Sequence, residues 1–433
     1  MANGCAERMS RRRCRQHDFA KELTKMNVFE KHLQEQLAEI RENNLYRQLR
    51  RVDSAQDTQI RVGGREVLNF SSNDYLGLAN HPALKAAAIQ AVERYGVGAG
   101  ASRLICGSFG PHHELEEALA DFKETEAALT FATGYAAATG AICSLVSKED
   151  VIVIDKLVHA SIVDAAKLSG AKLRVFRHND LNDLEGILKW ANALPRNTQY
   201  ATRSLIVTES IFSMDGDHAP LRDIVELKEK YGAWLMVDEA HATGLYGAHR
   251  RGVAEELGVS DQIEIQMGTL GKALGASGGY ICGSRKLIDY LVNRARTFIF
   301  STAPVPAAAA AATAGIRLVK SHEGESRRAL LWQRVSELKS QLNLRPSNGA
   351  AAIIPLLIGD EAKAMEVATS LLERNILIPA VRYPSVARGK ARLRLTLSAA
   401  HTQHQLQRLT TALHPWAADF KNAIPQDEPA GQT

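Results

Sequence analysis

Short apolar runs alternate with helical stretches from Asn69 onward, and this alternation constrains the fold more than any other feature of the sequence. We predict helices such as 161–168 and 221–231 between strands, and the strand candidates are residues 129–132, 151–154, 173–176, 204–208, 234–237 and 263–267. Strands that alternate with helices form crossover units and a mostly parallel sheet. Runs as apolar as 235–237 indicate a sheet with helices on both faces. The predicted fold class is therefore α/β.

The chain of 433 residues is too long for one simple core, so we expect more than one domain. Residues 1–25 are interpreted as a disordered basic tail, and 26–75 as an N-terminal helix with a small following segment. The helix is predicted from Phe29, Leu33, Leu37 and Ile40, which recur at helical spacing. Residues 76–315 form the predicted large domain. Residues 316–433 form a smaller α+β domain, with strand candidates at 352–357 and 393–397.

Composition excludes several classes of protein. The net charge of +5 is weak evidence for nucleic-acid binding, because arginines of the tail supply much of it. No apolar run reaches the length of a membrane span. Five scattered cysteines indicate reduced thiols, and we expect a cytoplasmic protein. The adjacent His112 and His113 are interpreted as a solvated helix start, and no metal site is predicted.

A lysine stands in a glycine-rich segment at the end of a predicted strand. The segment is GTLGKALG (268–275), and it places Lys272 behind the strand candidate 263–267. Such a lysine can form a Schiff base if burial or nearby cations lower its pKa. The alternative is a lysine of a phosphate-binding or solvated loop.

A second segment, VDEAHATG (237–244), places Asp238 at the carboxyl end of an apolar strand, where parallel-sheet proteins bind ligands. A carboxylate there can pair with a protonated pyridine nitrogen and so make the ring an electron sink. His241, three residues later, can reach the same ligand. The letters DEAH also occur in helicases, but the chain has no GxxxxGK[ST] phosphate loop, which makes that alternative poor.

Three further segments contain residues that could bind a ligand together with those above. Gly134 and Tyr135 follow a strand and open a helix, where free N–H groups bind phosphate. His159 opens another helix, and its imidazole can stack on a flat ring. Each of these positions alone is more often structural. In the segment ARLRLTLS (391–398), Arg392 and Arg394 share one strand face and one of them can grip a carboxylate, while the other is interpreted as solvated.

Together these residues resemble the α-oxoamine synthases, a family of fold type I pyridoxal-phosphate (PLP) enzymes. The resemblance covers roughly residues 40–415, and its motifs are NFSSNDYLGL (69–78), HAS (159–161), FSMDGD (212–217), DEAH (238–241), TLGK (269–272) and FST (300–302). It implies the PLP-dependent transferase fold type I, with PLP bound by the large domain. It also implies a homodimer with the active site at the subunit interface.

The resemblance also implies a role for each site residue. Lys272 holds the cofactor and later moves protons, Asp238 pairs with the pyridine nitrogen, and His159 stacks on the ring. The remaining implied contacts are His241 and Ser213 near the phenolic oxygen; Thr269 and the amides of Gly134 and Tyr135 at the phosphate, with Ser301 and Thr302 of the neighbouring subunit; Arg394 at the substrate carboxylate; and Asn73 and Arg47 on the acyl side.

Within this family the motifs are most similar to the branch that forms 8-amino-7-oxononanoate. The implied reaction joins L-alanine to pimeloyl-CoA or pimeloyl-acyl carrier protein with loss of CO2, in biotin biosynthesis. An alternative is acetylation of glycine by acetyl-CoA, because Tyr383-Pro384 follows Arg382 where the oxononanoate branch usually has Pro-Pro. A non-catalytic partner subunit typically lacks the lysine, and this chain keeps Lys272.

Overall fold

The structure is a computed structural model that describes residues 27–43, 45–194, 203–344 and 349–420. The chain divides into two compact units, residues 1–51 and 52–433, and each is described by itself. The first unit contains helix α1 (Val28–Glu42), which confirms the helix predicted from its apolar spacing. The side chain of Asn27 caps this helix by accepting the N–H of Glu30 at 2.9 Å. The predicted tail, residues 1–25, lies outside the described residues.

Strands and helices alternate through most of the second unit, as the sequence predicts. In its described part the strands are β1 (Gln59–Val62), β2 (Arg65–Asn69), β3 (Ala127–Phe131), β4 (Val151–Asp155), β5 (Lys172–Phe176), β6 (Ser204–Glu209), β7 (Trp234–Asp238), β8 (Ile265–Thr269), β9 (Gly279–Gly283), β10 (Ile353–Gly359), β11 (Ile376–Leu377), β12 (Ala380–Val381) and β13 (Ala391–Thr396).

The α-helices in the described part of this unit are α2 (Pro82–Tyr95), α3 (Gly110–Lys123), α4 (Gly134–Leu145), α5 (Ala160–Ser169), α6 (Leu181–Asn192), α7 (Leu221–Tyr231), α8 (Val253–Leu257), α9 (Arg285–Arg294), α10 (Arg296–Ile299), α11 (Pro306–Lys320), α12 (His322–Gln341), α13 (Glu361–Glu373) and α14 (Gln403–Leu413). Helix α7 begins and ends where predicted.

Among the described residues, seven strands form the central sheet in the order β3-β9-β8-β7-β6-β4-β5. Strands β5, β4, β6, β7 and β8 run parallel to one another. Strand β9 runs antiparallel to both of its neighbours, β8 and β3. Every residue of β4 and β6 is buried, as expected for strands covered on both faces. The predicted α/β fold with a mostly parallel sheet is therefore confirmed.

The parallel strands end at one edge of this sheet, and polar residues occupy several of those ends. Asp155, Glu209, Asp238 and Thr269 are the last residues of β4, β6, β7 and β8. Residues 209 and 238 are paired neighbours in the sheet register. Ligands of such sheets bind at the carboxyl edge, so this edge is where the site is expected.

Two smaller sheets complete the second unit. Strands β10, β13 and β12 form an antiparallel sheet, and β11 joins β1 and β2 in a third. The third sheet thus brings residues 59–69 together with residues far along the chain, around a small cluster of Ile60, Val67 and Leu377. A C-terminal sheet with its own helices is confirmed, whereas the domain boundary near residue 316 stays a prediction.

In three places the fold differs from what the sequence predicted. The strand predicted at 263–267 lies at Ile265–Thr269, because a 3₁₀ turn at Ser260–Gln262 delays its start. Strand β9 was not predicted, since its two glycines and short length hide the apolar pattern of Tyr280–Cys282. His112 is not solvated: it is fully buried, and its Nε2 lies 2.8 Å from the carbonyl oxygen of Pro304.

Candidate active site

Lys272 lies in the turn between β8 and β9. The turn is closed by the N–H of Leu270 donating to the Gly278 carbonyl and by that of Ala276 donating to the Leu270 carbonyl, at 2.9 and 2.8 Å. Gly275 has a φ of +68°, and a Cβ there would lie 2.5 Å from the Cβ of Leu78, so only glycine fits. The glycine-rich segment therefore holds Lys272 in one place.

The charges around Lys272 match those that the sequence analysis required of a reactive lysine. Burial lowers its pKa from the ordinary 10.5, and the positive charge of Arg394 lowers it further. The carboxyl groups of Asp238 and Glu209 oppose this and raise the pKa. The net direction is downward, which favours the neutral, nucleophilic amine.

Asp238 ends β7 as a buried carboxyl. Its Oδ1 accepts the N–H of Ala240 at 2.8 Å, which turns the chain toward His241. Burial raises the pKa of Asp238 above its usual value, and the charge of Lys272 opposes this shift. A cation placed beside this carboxyl, such as a protonated ring nitrogen, would stabilise its charged form.

The neighbouring Glu239 serves the fold. Its Oε2 lies 2.5 Å from the Nζ of Lys123, and its Oε1 accepts the N–H of Ala254 at 2.9 Å. Both side chains of this ion pair are almost completely buried. Removing one partner of such a pair costs about 3–5 kcal/mol, so the pair fixes the turn that carries Asp238 and His241.

His241 is buried and neutral. Burial lowers its pKa well below 6.5, and the charges of Lys272 and Arg394 act in the same direction. Its Nδ1 lies 2.6 Å from the hydroxyl of Tyr75, whose own pKa burial raises to about 12. A tyrosine hydroxyl therefore occupies one ring nitrogen of His241 and leaves Nε2 for a ligand. Sequence reasoning gave Tyr75 no role, although it belongs to the NFSSNDYLGL motif.

His159 precedes α5 and caps it. Its Nδ1 lies 2.8 Å from the Ser161 hydroxyl and accepts the N–H of the same residue at 3.2 Å. The residue is exposed, yet partial desolvation lowers its pKa, which the charge of Asp238 raises and that of Lys272 lowers. His159 thus lies close enough to both groups to feel their charges, with its imidazole open to a ligand.

Glu209 is a buried site residue that the sequence analysis missed. Its two carboxyl oxygens accept the N–H groups of His159 and Ser213, at 2.5 and 3.2 Å. The signal was present, because Glu209 ends an apolar strand in the same way as Asp238. Without the register of β6 and β7, nothing in the sequence placed the two carboxyls side by side.

Arg394 reaches the site from the small antiparallel sheet. Its Nε donates to the carbonyl oxygen of Ser213 at 2.7 Å, and its Nη1 donates to the Oδ1 of Asn73 at 3.1 Å. Arg392, on the same strand, pairs with Asp215. The expectation that one of the two arginines is solvated is wrong, because both are buried by the FSMDGD segment packed against β13.

Strand β8 and helix α4 meet closely where a phosphate was predicted. A Cβ on Gly134 would lie 2.6 Å from the Cγ2 of Thr269, so the helix starts on a bare backbone. The amides of Gly134 and Tyr135 belong to the first turn, whose N–H groups have no acceptor within the helix. Within the described chain, the Thr269 hydroxyl is buried and has no hydrogen-bond partner.

Three predicted site residues are not brought to this cluster by the described contacts. Arg47 belongs to the first unit, which is described by itself. Ser301 is half-buried and Thr302 is exposed, and the latter forms an isolated bridge with Ser102. Their roles remain predictions.

Comparison with known proteins decides the family. The sequence model described as "Aminotransferase class I and II" matches residues 65–413. The 8-amino-7-oxononanoate synthase of Geotalea daltonii is 47% identical over 382 residues, covering 88% of this chain and 96% of that protein. The chain belongs to the aminotransferase class I and II family.

Other relatives agree. The 8-amino-7-oxononanoate synthase of Geobacter sulfurreducens is also 47% identical, over 87% of this chain and 96% of its own length. Among solved structures, Sphingomonas wittichii serine palmitoyltransferase superposes with a TM-score of 0.82 at 31% identity, covering 90% of this chain and 98% of that one. The resemblance to the α-oxoamine synthases is thereby confirmed, and the chain is a PLP-dependent acyltransferase of the 8-amino-7-oxononanoate synthase branch.

The residues of this site are suited to bind PLP, the cofactor of this family. The buried, unpartnered hydroxyl of Thr269 and the open start of α4 are donors suited to a phosphate. Lys272, with its lowered pKa, and the buried Asp238 are suited to an aldehyde carbon and a ring nitrogen.

No helix of the described residues has both the length and the apolar character needed to cross a membrane.

Proposed function

We propose that this protein joins L-alanine to a pimeloyl thioester with loss of CO2, giving 8-amino-7-oxononanoate and free thiol for biotin biosynthesis. The observation that carries the proposal is a lysine with a lowered pKa beside the Asp238 carboxyl, in a chain 47% identical to 8-amino-7-oxononanoate synthases. When bound, PLP supplies an electron sink for the negative charge that develops at the substrate α-carbon.

The position of each residue in the site suggests its role toward the cofactor. Lys272 would hold the cofactor through its side-chain amine, and the same amine would move the proton at the substrate α-carbon. Asp238 would hold a ring nitrogen in its protonated form. His159 would cover one face of the ring, and Ser213 and the Nε2 of His241 would bind near the phenolic oxygen. Each role agrees with the burial and charge of its residue.

The substrate and phosphate contacts use the remaining predicted residues. Arg394 is a buried cation at the edge of the cluster and would grip the amino acid carboxylate. Asn73, which accepts from Arg394, would line the acyl side together with Arg47. At the phosphate we place Thr269 and the amides of Gly134 and Tyr135, joined by Ser301 and Thr302 of a second copy of this chain.

A donor and acceptor assay tests the proposed reaction. Thiol release by purified protein is compared for L-alanine and glycine with pimeloyl-CoA, pimeloyl-acyl carrier protein and acetyl-CoA. We expect L-alanine with a pimeloyl donor to exceed the other combinations by at least about tenfold, the discrimination that a pocket contact supplies. Equal or faster release from glycine and acetyl-CoA would reject the proposed substrates and favour the alternative suggested by Tyr383-Pro384.

Lys272→Ala tests the chemistry independently of the substrates. We expect turnover to be abolished while the protein still folds, because the covalent attachment and the proton carrier are lost together. Borohydride treatment of the wild type with PLP should yield a reduced adduct on the Lys272 peptide, detected by mass spectrometry. The exposed Lys286→Ala is the control and should keep both adduct and activity. Retained turnover in Lys272→Ala would contradict the assignment.

A further inference from the structure

Glu209 is a buried carboxyl at the centre of the site to which the proposed reaction gives no role. It ends β6 beside Asp238 at the end of β7, and only 2% of its surface is exposed. Burial raises the pKa of Glu209 well above its usual value, and the charge of Asp238 raises it further, whereas the charge of Lys272 and the two backbone N–H groups lower it and favour the carboxylate. The three side chains therefore share one buried cluster. A buried carboxyl needs strong hydrogen bonds to remain ionised.

Its hydrogen bonds join two separate segments of the chain. Oε1 accepts the N–H of His159, between β4 and α5, and Oε2 accepts the N–H of Ser213, between β6 and α7. Both partners are backbone donors, so each oxygen must act as an acceptor. One carboxylate therefore determines the positions of both residues.

We propose that Glu209 is a positioning residue of the cofactor site, whose carboxylate holds His159 and Ser213 at the PLP ring. The inference rests on the proposed function for the roles of those two residues at the cofactor. The two oxygens of Glu209 are occupied by the N–H groups of His159 and Ser213. Glu209 therefore acts on the site through these two backbone hydrogen bonds and through its charge. Its negative charge also opposes the loss of a proton from Lys272.

Two variants separate the geometry from the charge. Glu209→Gln keeps the size of the side chain but offers one acceptor oxygen, so its NH2 group must face one of the two N–H donors. Glu209→Asp keeps the charge but is one methylene shorter and cannot span both donors. Asp150→Asn is the matched control. Asp150 is buried at the opposite edge of the sheet, accepts the N–H groups of Ser147 and Arg203, and also pairs with the Arg203 guanidinium.

The readouts are the affinity for PLP and the pH titration of the absorbance of the protein–PLP complex, with unfolding temperature measured in parallel. We expect both Glu209 variants to bind PLP about tenfold or more weakly, since one buried donor loses its partner. The titration midpoint should fall in Glu209→Gln, which loses the negative charge, and stay near the wild-type value in Glu209→Asp. Asp150→Asn should lower the unfolding temperature and change neither PLP affinity nor midpoint.

A purely structural role predicts a different result. If both Glu209 variants unfold earlier, as Asp150→Asn does, but bind PLP with wild-type affinity and an unchanged midpoint, the proposal is wrong. These readouts use neither alanine nor an acyl thioester. A wild type that binds PLP but prefers other substrates would thus overturn the proposed reaction and leave this inference standing. If Glu209→Gln does not fold, the PLP affinity of Glu209→Asp decides.

Discussion

Burial acts on Lys272 and His241 in the same direction, with different chemical results. It lowers the pKa of both groups, and nearby carboxyls partly restore that of Lys272. A lysine closer to neutrality is a better nucleophile, whereas a neutral histidine has one donor and one acceptor nitrogen. The partner on Nδ1, the Tyr75 hydroxyl, therefore decides which hydrogen bond Nε2 can make with a ligand.

Tyr75→Phe tests this coupling at the residue scale. We expect kcat to fall about tenfold with PLP absorbance retained, because leaving Nδ1 of His241 unpaired costs about 1–2 kcal/mol. Steady-state kinetics and an absorbance spectrum measure the two quantities. Tyr246→Phe is the control, since it also loses a buried hydroxyl bond, which goes to the Ala350 carbonyl and not to His241. Wild-type kcat in Tyr75→Phe would show that the hydroxyl does not act on His241.

At the scale of elements, the FSMDGD segment after β6 links the central sheet to the small one. Ser213 accepts from Arg394, and Asp215 pairs with Arg392, both on β13. Asp217 lies 2.7 Å from the Nε2 of His178, whose Nδ1 lies 2.9 Å from Asp155 at the end of β4. The loop that carries Ser213 is thus held from both sheets.

His178 contributes to stability in a pH-dependent way. Burial lowers its pKa, but the hydrogen bonds to Asp155 and Asp217 outweigh burial and raise the pKa from 6.5 to about 10. A raised pKa means that the stabilisation is complete below about pH 6.5 and is lost as pH rises toward 10. His178→Gln should lower the free energy of unfolding by about 3 kcal/mol at pH 6, as for a broken buried pair, and by less at pH 9.5.

Urea unfolding of wild type and variant at the two pH values measures this difference. The exposed His249→Gln is the control and should differ from the wild type by little at either pH. A deficit in His178→Gln that is equal at pH 6 and pH 9.5 would mean that the imidazolium charge contributes nothing.

At the scale of the whole molecule, an exposed apolar surface lies beside two of the predicted phosphate ligands. Phe300 and Ile105 are 69% and 79% exposed, and the bridge between Ser102 and Thr302 joins their two segments. Clustered exposed apolar residues are typical of association surfaces. This placement agrees with the proposed homodimer, in which Ser301 and Thr302 would serve the site of the other copy.

Complementation tests the shared site. Lys272→Ala chains are coexpressed with chains carrying Ser301→Ala and Thr302→Ala, each inactive or weak alone. In a twofold dimer with random pairing, half the dimers are mixed and each has one intact site, so activity should reach about a quarter of the wild-type value. Sedimentation measures whether the chains form a dimer. A mixture no more active than the mean of its parents would place each site within a single copy.

Most of the central sheet was predictable because each strand carries its own local signal. The apolar runs of β4 and β6 and the exact bounds of α7 needed no tertiary information. Strand β9 was not predicted because a short strand between glycines has no distinctive pattern. The pairing of β2 with β11 was not predictable either, because it joins segments some 300 residues apart. Local patterns carry no information about such distant partners.

The chemistry of the site followed from residue types in local motifs: a lysine among glycines, a carboxyl ending an apolar strand, and an arginine on an alternating one. The tertiary structure alone decided that Glu209 stands beside Asp238, that Tyr75 meets His241, and that Arg392 is buried against Asp215. The reason is physical. A side chain's capacity for chemistry is local, whereas its charge and its partner depend on burial and on segments that only folding brings together.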